Sequence, residues 1–305
     1  MKVFCRLFVC SLFLSLIVSH PAHLLAEDTD IDWSSARELA PGLRYVRISQ
    51  VMPRKMVVHG VQADSRAAGF QLHATPRKND WVEGKEETIR QTTRNFMRKS
   101  RDKGESLVIA VNADAFSPWP APFAEESPTD IHGLAISDGA MVSLGNNSPS
   151  LLVDNEDKLQ IAHSSSAKEL PSGVRIAVSG FGMCLVDGQV AASGDDLHPR
   201  TGLGLSQDNR FLFLIVIDGR QPDSFGATVS DVGHWLKRMG AYNGINMDGG
   251  GSSTLAYWNP TIQAADKSEL LNKPVGDGQD LSALPASFFK PTERANGNNL
   301  GISIR

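Results

Sequence analysis

The sequence predicts a single α+β domain built on a mixed β-sheet, with many short strands and few helices. Glycine and proline are frequent, with 27 and 16 residues among 305, which favours turns and short strands over long helices. One strand–helix–strand pattern, residues 211–247, stands out from the short strands around it. No repeat of fixed period and no linker-like segment divides the chain. We therefore expect one domain over residues 27–305.

The N-terminal segment, residues 1–26, has the three-part layout of a secretory signal peptide. Lys2 and Arg6 precede an almost wholly apolar run that ends at Val18, and Ala26 stands before an acidic pair. The run is short and interrupted for a membrane span of about 20 residues, so we favour a cleaved signal over a retained anchor. We expect a secreted or periplasmic protein with no membrane span after cleavage.

Charge and cysteine content exclude several classes of protein. The 30 basic and 34 acidic residues give a formal net charge of −4, which argues against binding nucleic acid through a basic face. Cleavage of the signal would remove Cys5 and Cys10 and leave Cys184 alone. Neither an intramolecular disulfide nor a cysteine zinc site is then expected, and Cys184 is interpreted as a small buried residue.

The first half of the domain predicts strands around one helix. Residues 43–48 alternate as a strand does, and residues 86–99 have the spacing of a helix. The apolar run 106–111 predicts a buried strand that leads directly into Asn112 and Asp114. We expect such a strand to deliver those polar side chains to a site.

A proline-rich stretch and several turn signals follow this strand. Residues 117–130 contain prolines that interrupt regular structure, so we predict a long loop there. Beyond it, the Asp-Gly pairs at 138–139 and 187–188 each follow a short apolar run. Such pairs tolerate positive φ angles and predict β-hairpin turns.

Residues 211–247 carry the clearest pattern in the chain. Residues 211–217 are apolar on both faces and predict a central strand. A helix should begin at Thr228 and end at Gly240, and a short strand, residues 243–247, follows. This order implies a right-handed βαβ crossover with parallel strands, whose C-terminal ends share the sheet edge where ligands bind.

Each of these two strands leads into an aspartate followed by glycine. Asp218 precedes Gly219-Arg220, and Asp248 precedes three glycines and a serine. Glycines of this kind can turn backbone N–H groups toward an anion, and Arg200 and Arg220 offer bidentate forks to a phosphate diester. The alternative is that each aspartate only caps the turn it opens. The combination favours a site.

Other site patterns are missing from the sequence. There is no Walker A motif, dinucleotide fingerprint or His-Glu-x-x-His motif, and no nucleophile elbow surrounds Ser252. His132, His198 and His234 are interpreted as packing or supporting groups rather than metal ligands. We predict no required cofactor, which leaves open a structural or substrate-bridging divalent cation such as calcium.

Six short blocks appear in one order along the second part of the chain. They are Val111 to Phe116, Pro199-Arg200-Thr201, Asp218-Gly219-Arg220, Asp248 to Ser253, Asn272-Lys273-Pro274, and Arg294 with Asn298 to Gly301. In this order the chain resembles the phosphodiester glycosidase family, most clearly over residues 105–305. The resemblance implies hydrolysis of a sugar 1-phosphodiester, and the predicted secretion favours a related envelope or exopolysaccharide glycan linkage as the substrate. The resemblance also implies substrate contacts from Asn112, Asp114, Arg200, Thr201, Arg220, Gly249, Gly250, Gly251, Ser252, Asn272, Arg294 and Asn298.

The chemistry of glycosidic cleavage assigns the two aspartates independently. Such enzymes use two carboxyl groups, one to protonate the leaving oxygen and one as nucleophile or base, so Asp218 and Asp248 are the predicted catalytic pair. Two alternatives remain. One is a glycan-binding protein without turnover, and the other is a phosphodiesterase that attacks phosphorus, which normally recruits metal ions.

Overall fold

The structure, a computed structural model, describes residues 30–118, 123–163 and 173–304. The predicted signal peptide, residues 1–26, lies outside the described residues. The strands begin with β1 (Arg37–Ala40), β2 (Leu43–Gln50), β3 (Met56–Asp64), β4 (Gln71–Ala74), β5 (Thr88–Ile89), β6 (Leu107–Asn112), β7 (Phe116–Ser117), β8 (Pro128–Ile131), β9 (Ala135–Ser137), β10 (Ala140–Ser143) and β11 (Pro149–Asp154).

The remaining strands are β12 (Leu159–His163), β13 (Val174–Ser179), β14 (Gly182–Val186), β15 (Gln189–Val190), β16 (Arg200–Leu205), β17 (Phe211–Ile217), β18 (Asn243–Asn246), β19 (Leu255–Trp258), β20 (Ser268–Leu270) and β21 (Asn299–Ser303). The α-helices are α1 (Thr93–Asp102) and α2 (Val229–Met239), and 3-10 turns cover Trp33–Ser35, Gly250–Ser252 and Ala286–Phe288.

These strands form three large sheets and one small one. The largest sheet has the order β1-β2-β3-β17-β16-β18-β14-β15. Two five-stranded sheets have the orders β20-β19-β6-β21-β4 and β10-β9-β13-β11-β12, and β5-β8-β7 form the small sheet. The structure is therefore dominated by β-sheets with two helices, which is consistent with the predicted α+β class.

The main core lies between the large sheets, and each helix covers an outer face. Leu214 of β17, Ile109 of β6 and Leu151 of β11 belong to one buried apolar cluster. On the other face of β17, Phe213 packs in a cluster with Trp235 and other residues of α2. Helix α1 covers β6 and β19. Since apolar groups on both faces of β17 are buried, the prediction of a central strand is confirmed.

Helix α2 has both ends that the sequence predicts. The Thr228 hydroxyl accepts a hydrogen bond from the Asp231 N–H at 3.1 Å, and the Asp231 carboxylate accepts one from the Thr228 N–H at 2.7 Å. Gly240 ends the helix with a φ of 102°. This reciprocal cap fixes where the chain leaves the sheet edge and where it returns.

The two strands of the strand–helix–strand segment are not paired directly with each other, as they would be in the predicted mixed sheet. β17 and β18 run in the same direction, but β16 lies between them and is antiparallel to both. Every described strand pair in the eight-stranded sheet is antiparallel, so the predicted mixed sheet is wrong for this sheet. β16 takes the hydrogen bonds that a direct parallel pair would have made. β17 and β18 nevertheless end at the same edge.

The other predicted elements shift only at their ends. The first helix begins at Thr93 rather than near residue 86, because residues 88–89 pair with β8 and Thr92 caps the helix. The predicted loop over residues 117–130 includes part of β7 and β8. The Asp-Gly turns are confirmed, since Asp138 and Asp187 both have φ angles of 48° and lie between paired strands.

Candidate active site

The predicted site residues lie around one edge, where the eight-stranded sheet meets the β6 sheet. Asp218 directly follows β17, and Asp248 follows β18 by two residues. Asn112 is the last residue of β6, and the Asp248 N–H donates to the Ala113 carbonyl at 3.1 Å. This hydrogen bond joins the ends of β18 and β6 and brings residues of both sheets into one site.

Asp248 is buried, and one oxygen of its carboxyl group has no hydrogen-bond partner among the described residues. Its Oδ1 accepts a hydrogen bond from the Gly249 N–H at 3.0 Å, whereas no described group makes a hydrogen bond to Oδ2. Burial raises the pKa of Asp248 to about 6, although the nearby Ser252 hydroxyl and the charge of Arg294 act in the opposite direction. A carboxyl group in this state can hold a proton close to neutral pH.

Asp114 is a second buried carboxyl group next to Asp248. Its Oδ1 accepts from the Ser179 N–H at 2.7 Å, and its Oδ2 accepts from Nδ2 of Asn298 at 2.8 Å. Burial raises the pKa of Asp114 well above its ordinary value, and the negative charge of Asp248 raises it further. The two carboxyl groups are therefore close enough to influence each other's ionisation.

Asn112 joins the strands that frame Asp248. Its Nδ2 donates to the Asp248 carbonyl at 2.7 Å, and its Oδ1 accepts from the Thr201 hydroxyl at 2.8 Å and from the Thr254 N–H at 3.1 Å. The Asn112 side chain thus has protein partners at both ends. Asn112 and Thr201, predicted as substrate contacts, are both almost fully buried and hold the backbone around the site.

Asp218 is also buried, but both of its carboxylate oxygens have hydrogen-bond partners. Oδ1 accepts from Nδ2 of Asn272 at 3.2 Å and from the Lys273 N–H at 3.0 Å. Oδ2 lies 3.2 Å from Nε2 of His59. The same Asn272 amide donates to the Ser253 carbonyl at 3.0 Å, so Asn272 connects Asp218 with the segment that follows Asp248.

Arg294 lies next to the glycine segment and is itself 4% exposed. Its Nε donates to the Gly276 carbonyl at 2.9 Å, and its guanidinium carbon lies 3.9 Å from the centre of the Phe123 ring. Burial lowers the pKa of Arg294 to about 10, and the charge of Asp248 opposes this shift. A cation stacked on an aromatic ring beside a buried carboxyl group stabilises negative charge there.

Arg220 and Arg200 lie on the outer side of the same segment. Arg220 has a φ of 56°, donates through Nη1 to the Gly278 carbonyl at 3.1 Å, and places Nη2 3.0 Å from Nδ1 of His198. Arg200 donates to the carbonyl groups of Ala227 and Asp196, each at 2.9 Å. None of these hydrogen-bond partners is a carboxylate, although the charges of Asp277 and Asp280 act on Arg220 and that of Asp196 acts on Arg200.

The two guanidinium groups of Arg220 and Arg294 are close together. A Cβ atom added at Gly278 would lie 3.0 Å from Nη2 of Arg294 and 3.5 Å from Nη1 of Arg220. The charge of Arg220 also lowers the pKa of Arg294, as a neighbouring cation does. Two half-buried or buried cations at this spacing favour an anionic ligand between or beside them.

The glycine segment is used differently from the expected anion nest. The Gly249 N–H is hydrogen-bonded to the Asp248 carboxylate, and the Gly250 N–H donates to the Pro199 carbonyl at 2.8 Å. These two N–H groups are therefore occupied inside the protein. Gly250 to Ser252 form one 3-10 turn, which closes against the loop before β16.

Close approach explains why glycines are required there. A Cβ atom at Gly251 would lie 2.3 Å from Nη2 of Arg294, and one at Gly249 would lie 2.9 Å from the Pro199 carbonyl oxygen. Both distances are shorter than van der Waals contact. The glycines allow the Arg294 side chain and the loop before β16 to reach the backbone that carries Asp248.

Sequence reasoning missed His59 and Tyr45. His59 lies in β3 opposite Val216 of β17, and its Nδ1 is 2.8 Å from the Tyr45 hydroxyl. Tyr45 falls in the predicted strand 43–48, but no strand was predicted over the segment that contains His59. A histidine and a tyrosine on inward-facing positions of adjacent strands would have been a signal, because a core strand seldom buries such groups without partners.

Three further observations describe the part of the chain that the structure covers. It contains no group of three or more His, Cys, Asp or Glu side chains placed to hold a metal ion. No helix within it is both long and apolar enough to cross a membrane. Cys184 is buried, and burial raises the pKa of its thiol to about 12, as expected of a packing residue.

Comparison with known proteins finds a matching family and solved structures that share the fold. Residues 105–302 match the family described as phosphodiester glycosidase. No curated protein matches the sequence significantly.

Solved structures share the fold at low sequence identity. The catalytic domain of zebrafish N-acetylglucosamine-1-phosphodiester α-N-acetylglucosaminidase, auto-inhibited by its pro-peptide, is 18% identical, with a TM-score of 0.60 over 91% of this chain and 87% of that one. A putative exported protein from Burkholderia pseudomallei is 12% identical, with a TM-score of 0.53 over 81% and 74% of the two chains. A hypothetical protein from Synechocystis is 12% identical, with a TM-score of 0.51 over 87% and 62%.

Proposed function

Because the chain belongs to the phosphodiester glycosidase family, we propose that it is an exported hydrolase that cleaves the glycosidic bond of a sugar 1-phosphodiester. The observation that carries this proposal is the Asp248 carboxyl group, which is buried beside Arg294 with one oxygen unoccupied. A bare, buried carboxyl oxygen is costly to maintain, and a substrate that hydrogen-bonds to it repays that cost.

Asp248 is proposed as the general acid. Its pKa of about 6 keeps a useful fraction protonated near neutral pH, so it can transfer a proton to the oxygen that leaves the anomeric carbon. Phosphate is a good leaving group even without full protonation. The acid therefore has less work to do here than in the cleavage of an alkyl glycoside.

Asp218 is proposed as the partner carboxylate. Its oxygens accept hydrogen bonds from Asn272, Lys273 and His59, an environment that suits the ionised form because a carboxylate only accepts. An ionised carboxylate can act as nucleophile or as base for water, or stabilise the positive charge that develops on the sugar ring. One protonated and one ionised carboxyl group is the division of roles that this chemistry needs.

The three arginines are proposed as the phosphate subsite. Arg220 and Arg294 flank one backbone position, and Arg200 and Arg220 hydrogen-bond to neutral groups rather than carboxylates. A phosphodiester would compensate this local positive charge. As the glycosidic bond breaks, negative charge grows on the departing phosphate, and preorganised cations then stabilise the transition state more than the ground state.

The family and one relative support the proposed substrate class. The zebrafish enzyme acts, by its name, on an α-linked N-acetylglucosamine 1-phosphodiester, so that linkage is the first candidate here. A glycan of the cell envelope or an exopolysaccharide is the second, because the N-terminal sequence pattern favours export.

The direct test is to identify the bond that is cleaved. Protein lacking residues 1–26 would be incubated with a panel of sugar 1-phosphodiesters in ¹⁸O-labelled water, and both products would be analysed by mass spectrometry. We expect the label in the sugar hydroxyl, because water attacks carbon. Label in the phosphate product would assign attack at phosphorus instead and refute a glycosidase.

Two controls distinguish a glycosidase from a glycan-binding protein and from a metal-dependent phosphodiesterase. Asp248→Asn should bind the substrates with little change but release no sugar, which ties turnover to the site rather than to a contaminant. If the parent protein binds a panel member tightly yet never cleaves it, the chain is a glycan-binding protein. Parallel reactions with chelator report any divalent-cation requirement.

A further inference from the structure

A chain of buried side chains continues from Asp218 into the interior. The Tyr45 hydroxyl lies 2.8 Å from Nδ1 of His59, and Nε2 of His59 lies 3.2 Å from Oδ2 of Asp218. All three residues are at most 8% exposed. Tyr45 lies in β2 and His59 in β3, whereas the family match begins at residue 105, so the support for Asp218 comes from outside the matched region.

When Asp218 is ionised and His59 is neutral, hydrogen-bond chemistry assigns each proton of this chain to one atom. An ionised Asp218 can only accept, so Nε2 of His59 must carry a proton and donate it toward Oδ2. In a neutral imidazole, Nδ1 is then an acceptor, and the Tyr45 hydroxyl donates to it. Burial raises the pKa of Tyr45 to about 12, so the hydroxyl keeps its proton at neutral pH.

The packing around His59 leaves its ring little room to move. Across the sheet, its neighbours are Arg47 in β2 and Val216 in β17. The rings of Tyr45 and His59 are stacked at 20° with centroids 6.1 Å apart. Since β3 and β17 are paired over seven residues, their register determines the position of His59 relative to the end of β17.

We propose that His59 and Tyr45 are positioning residues for the Asp218 carboxylate. Tyr45 donates a hydrogen bond to His59, and His59 donates one to Asp218, which holds the carboxylate in its working orientation. This inference rests on the proposed function, because it assigns a role to Asp218 in that reaction. Oδ1 of Asp218 is fixed by Asn272 and Lys273, and without His59 the other oxygen would be a buried acceptor with no partner. The carboxylate would then rotate away from this orientation.

Kinetics of variants provide the first test. We expect His59→Leu to lower kcat about 100-fold with KM nearly unchanged, as loss of a supporting hydrogen bond does elsewhere. His59→Gln, which can still donate an amide N–H toward Oδ2, should recover much of that loss. Tyr45→Phe should lower kcat about 5-fold, because the imidazole stays in place but loses the donor that fixes its tautomer.

Val61→Ala is the matched control for these variants. Val61 lies in β3 two residues beyond His59, faces the same core and is fully buried. Its truncation should destabilise the protein by about 1 kcal/mol while kcat per folded molecule stays at the parent value. If Val61→Ala lowers kcat as much as His59→Leu, or if His59→Leu leaves kcat intact, the positioning role is refuted.

Nuclear magnetic resonance gives a readout that does not require activity. In protein labelled with ¹⁵N-histidine, the His59 signals would be assigned by their loss in His59→Gln. We expect a protonated Nε2 and an unprotonated Nδ1 at pH 7, with the Nδ1 signal shifted in Tyr45→Phe. A proton on Nδ1 alone would overturn the donor chain even in an active enzyme. The expected tautomer in a protein inactive on every phosphodiester would instead refute the proposed function alone.

Discussion

The ends of β17 and β18 carry the same sequence signal but end in two different chemical environments. Asp218 accepts hydrogen bonds on both oxygens, from three residues in two separate segments of the chain. The carboxyl group of Asp248 accepts one hydrogen bond, from the adjacent Gly249 N–H to Oδ1, and its Oδ2 has no hydrogen-bond partner among the described residues. A strand that ends in Asp-Gly therefore determines where a carboxyl group stands, while residues distant in sequence determine whether it is fixed or reactive.

The largest expected effect separates catalysis from turn capping at Asp248. Asp248→Asn should lower turnover by about 10³-fold, because the amide cannot give up a proton as a carboxylic acid does. The fold should be retained, since asparagine is nearly isosteric and still accepts from the Gly249 N–H. Activity assays with thermal unfolding measure both. Near-normal turnover would make Asp248 a turn cap and move the acid to Asp114.

Asp218→Asn should also lower turnover by orders of magnitude, but with a cost in stability that Asp248→Asn does not have. The introduced NH₂ group would replace an acceptor that faces a donor, either at His59 or at Lys273. We expect a loss of about 2 kcal/mol in the free energy of unfolding. Denaturant titration of both variants tests this. Equal stability of the two would contradict the contrast between the strand ends.

Arg220→Lys tests whether the arginines act through their geometry. Lysine keeps the charge but not the fork that hydrogen-bonds to Gly278 and His198, so kcat/KM on a phosphodiester should fall about 100-fold. Hydrolysis of a neutral aryl glycoside of the same sugar, if measurable, should change less. The same replacement at Arg200 should behave alike. Unchanged kcat/KM would assign the arginine to structure.

The pKa of Asp248 predicts a pH-dependent difference in stability. Its folded value of about 6 lies above its ordinary value of 3.8, so the folded state binds the proton more tightly. Burial destabilises the ionised form of this carboxyl group. Its cost in the free energy of unfolding is therefore absent below about pH 4, increases between about pH 4 and pH 6, and is complete above about pH 6. Asp248→Asn should therefore match the parent at pH 3.5 and exceed it by about 3 kcal/mol at pH 8.

Chemical denaturation across this pH range measures the difference. A constant difference between the two proteins would show that the carboxyl group titrates normally, and the bare oxygen would then have to be solvated.

The smallest expected effect concerns the glycines. Gly251→Ala would place Cβ 2.3 Å from Nη2 of Arg294, so we expect a loss of about 2 kcal/mol and reduced turnover as the guanidinium moves. Gly182→Ala is the control, because a Cβ there meets no atom within 4 Å. It should change stability by less than about 0.5 kcal/mol. Similar losses in both variants would remove the close-approach argument.

Local patterns were enough to predict much of the fold. The apolar run of β17, the capping residues of α2 and the Asp-Gly turns all follow from local chemistry, and each was predicted at nearly its observed position. The insertion of β16 between β17 and β18 was not predictable in this way. Strand order depends on contacts between distant segments, and no single segment encodes it.

In the site, too, local sequence predicts some features, whereas contacts between distant segments determine others. Motifs place Asp218, Asp248 and the arginines near one edge, but they do not distinguish the occupied carboxylate from the unoccupied one. That distinction depends on His59 and Lys273, which reach Asp218 only after β3 and the loop beyond β20 are folded against β17. The hydrogen bond of the Gly250 N–H depends likewise on Pro199, which is distant in sequence.

The pairing of β3 with β17 and of β4 with β21 has a practical consequence for cutting the chain. A fragment limited to residues 105–302 would expose one whole edge of β17, whose seven residues are all apolar, and one edge of β21. Long apolar strand edges recruit other strands and promote aggregation. We therefore expect a fragment limited to the matched region to aggregate, and expression or domain-transfer work should include the N-terminal strands.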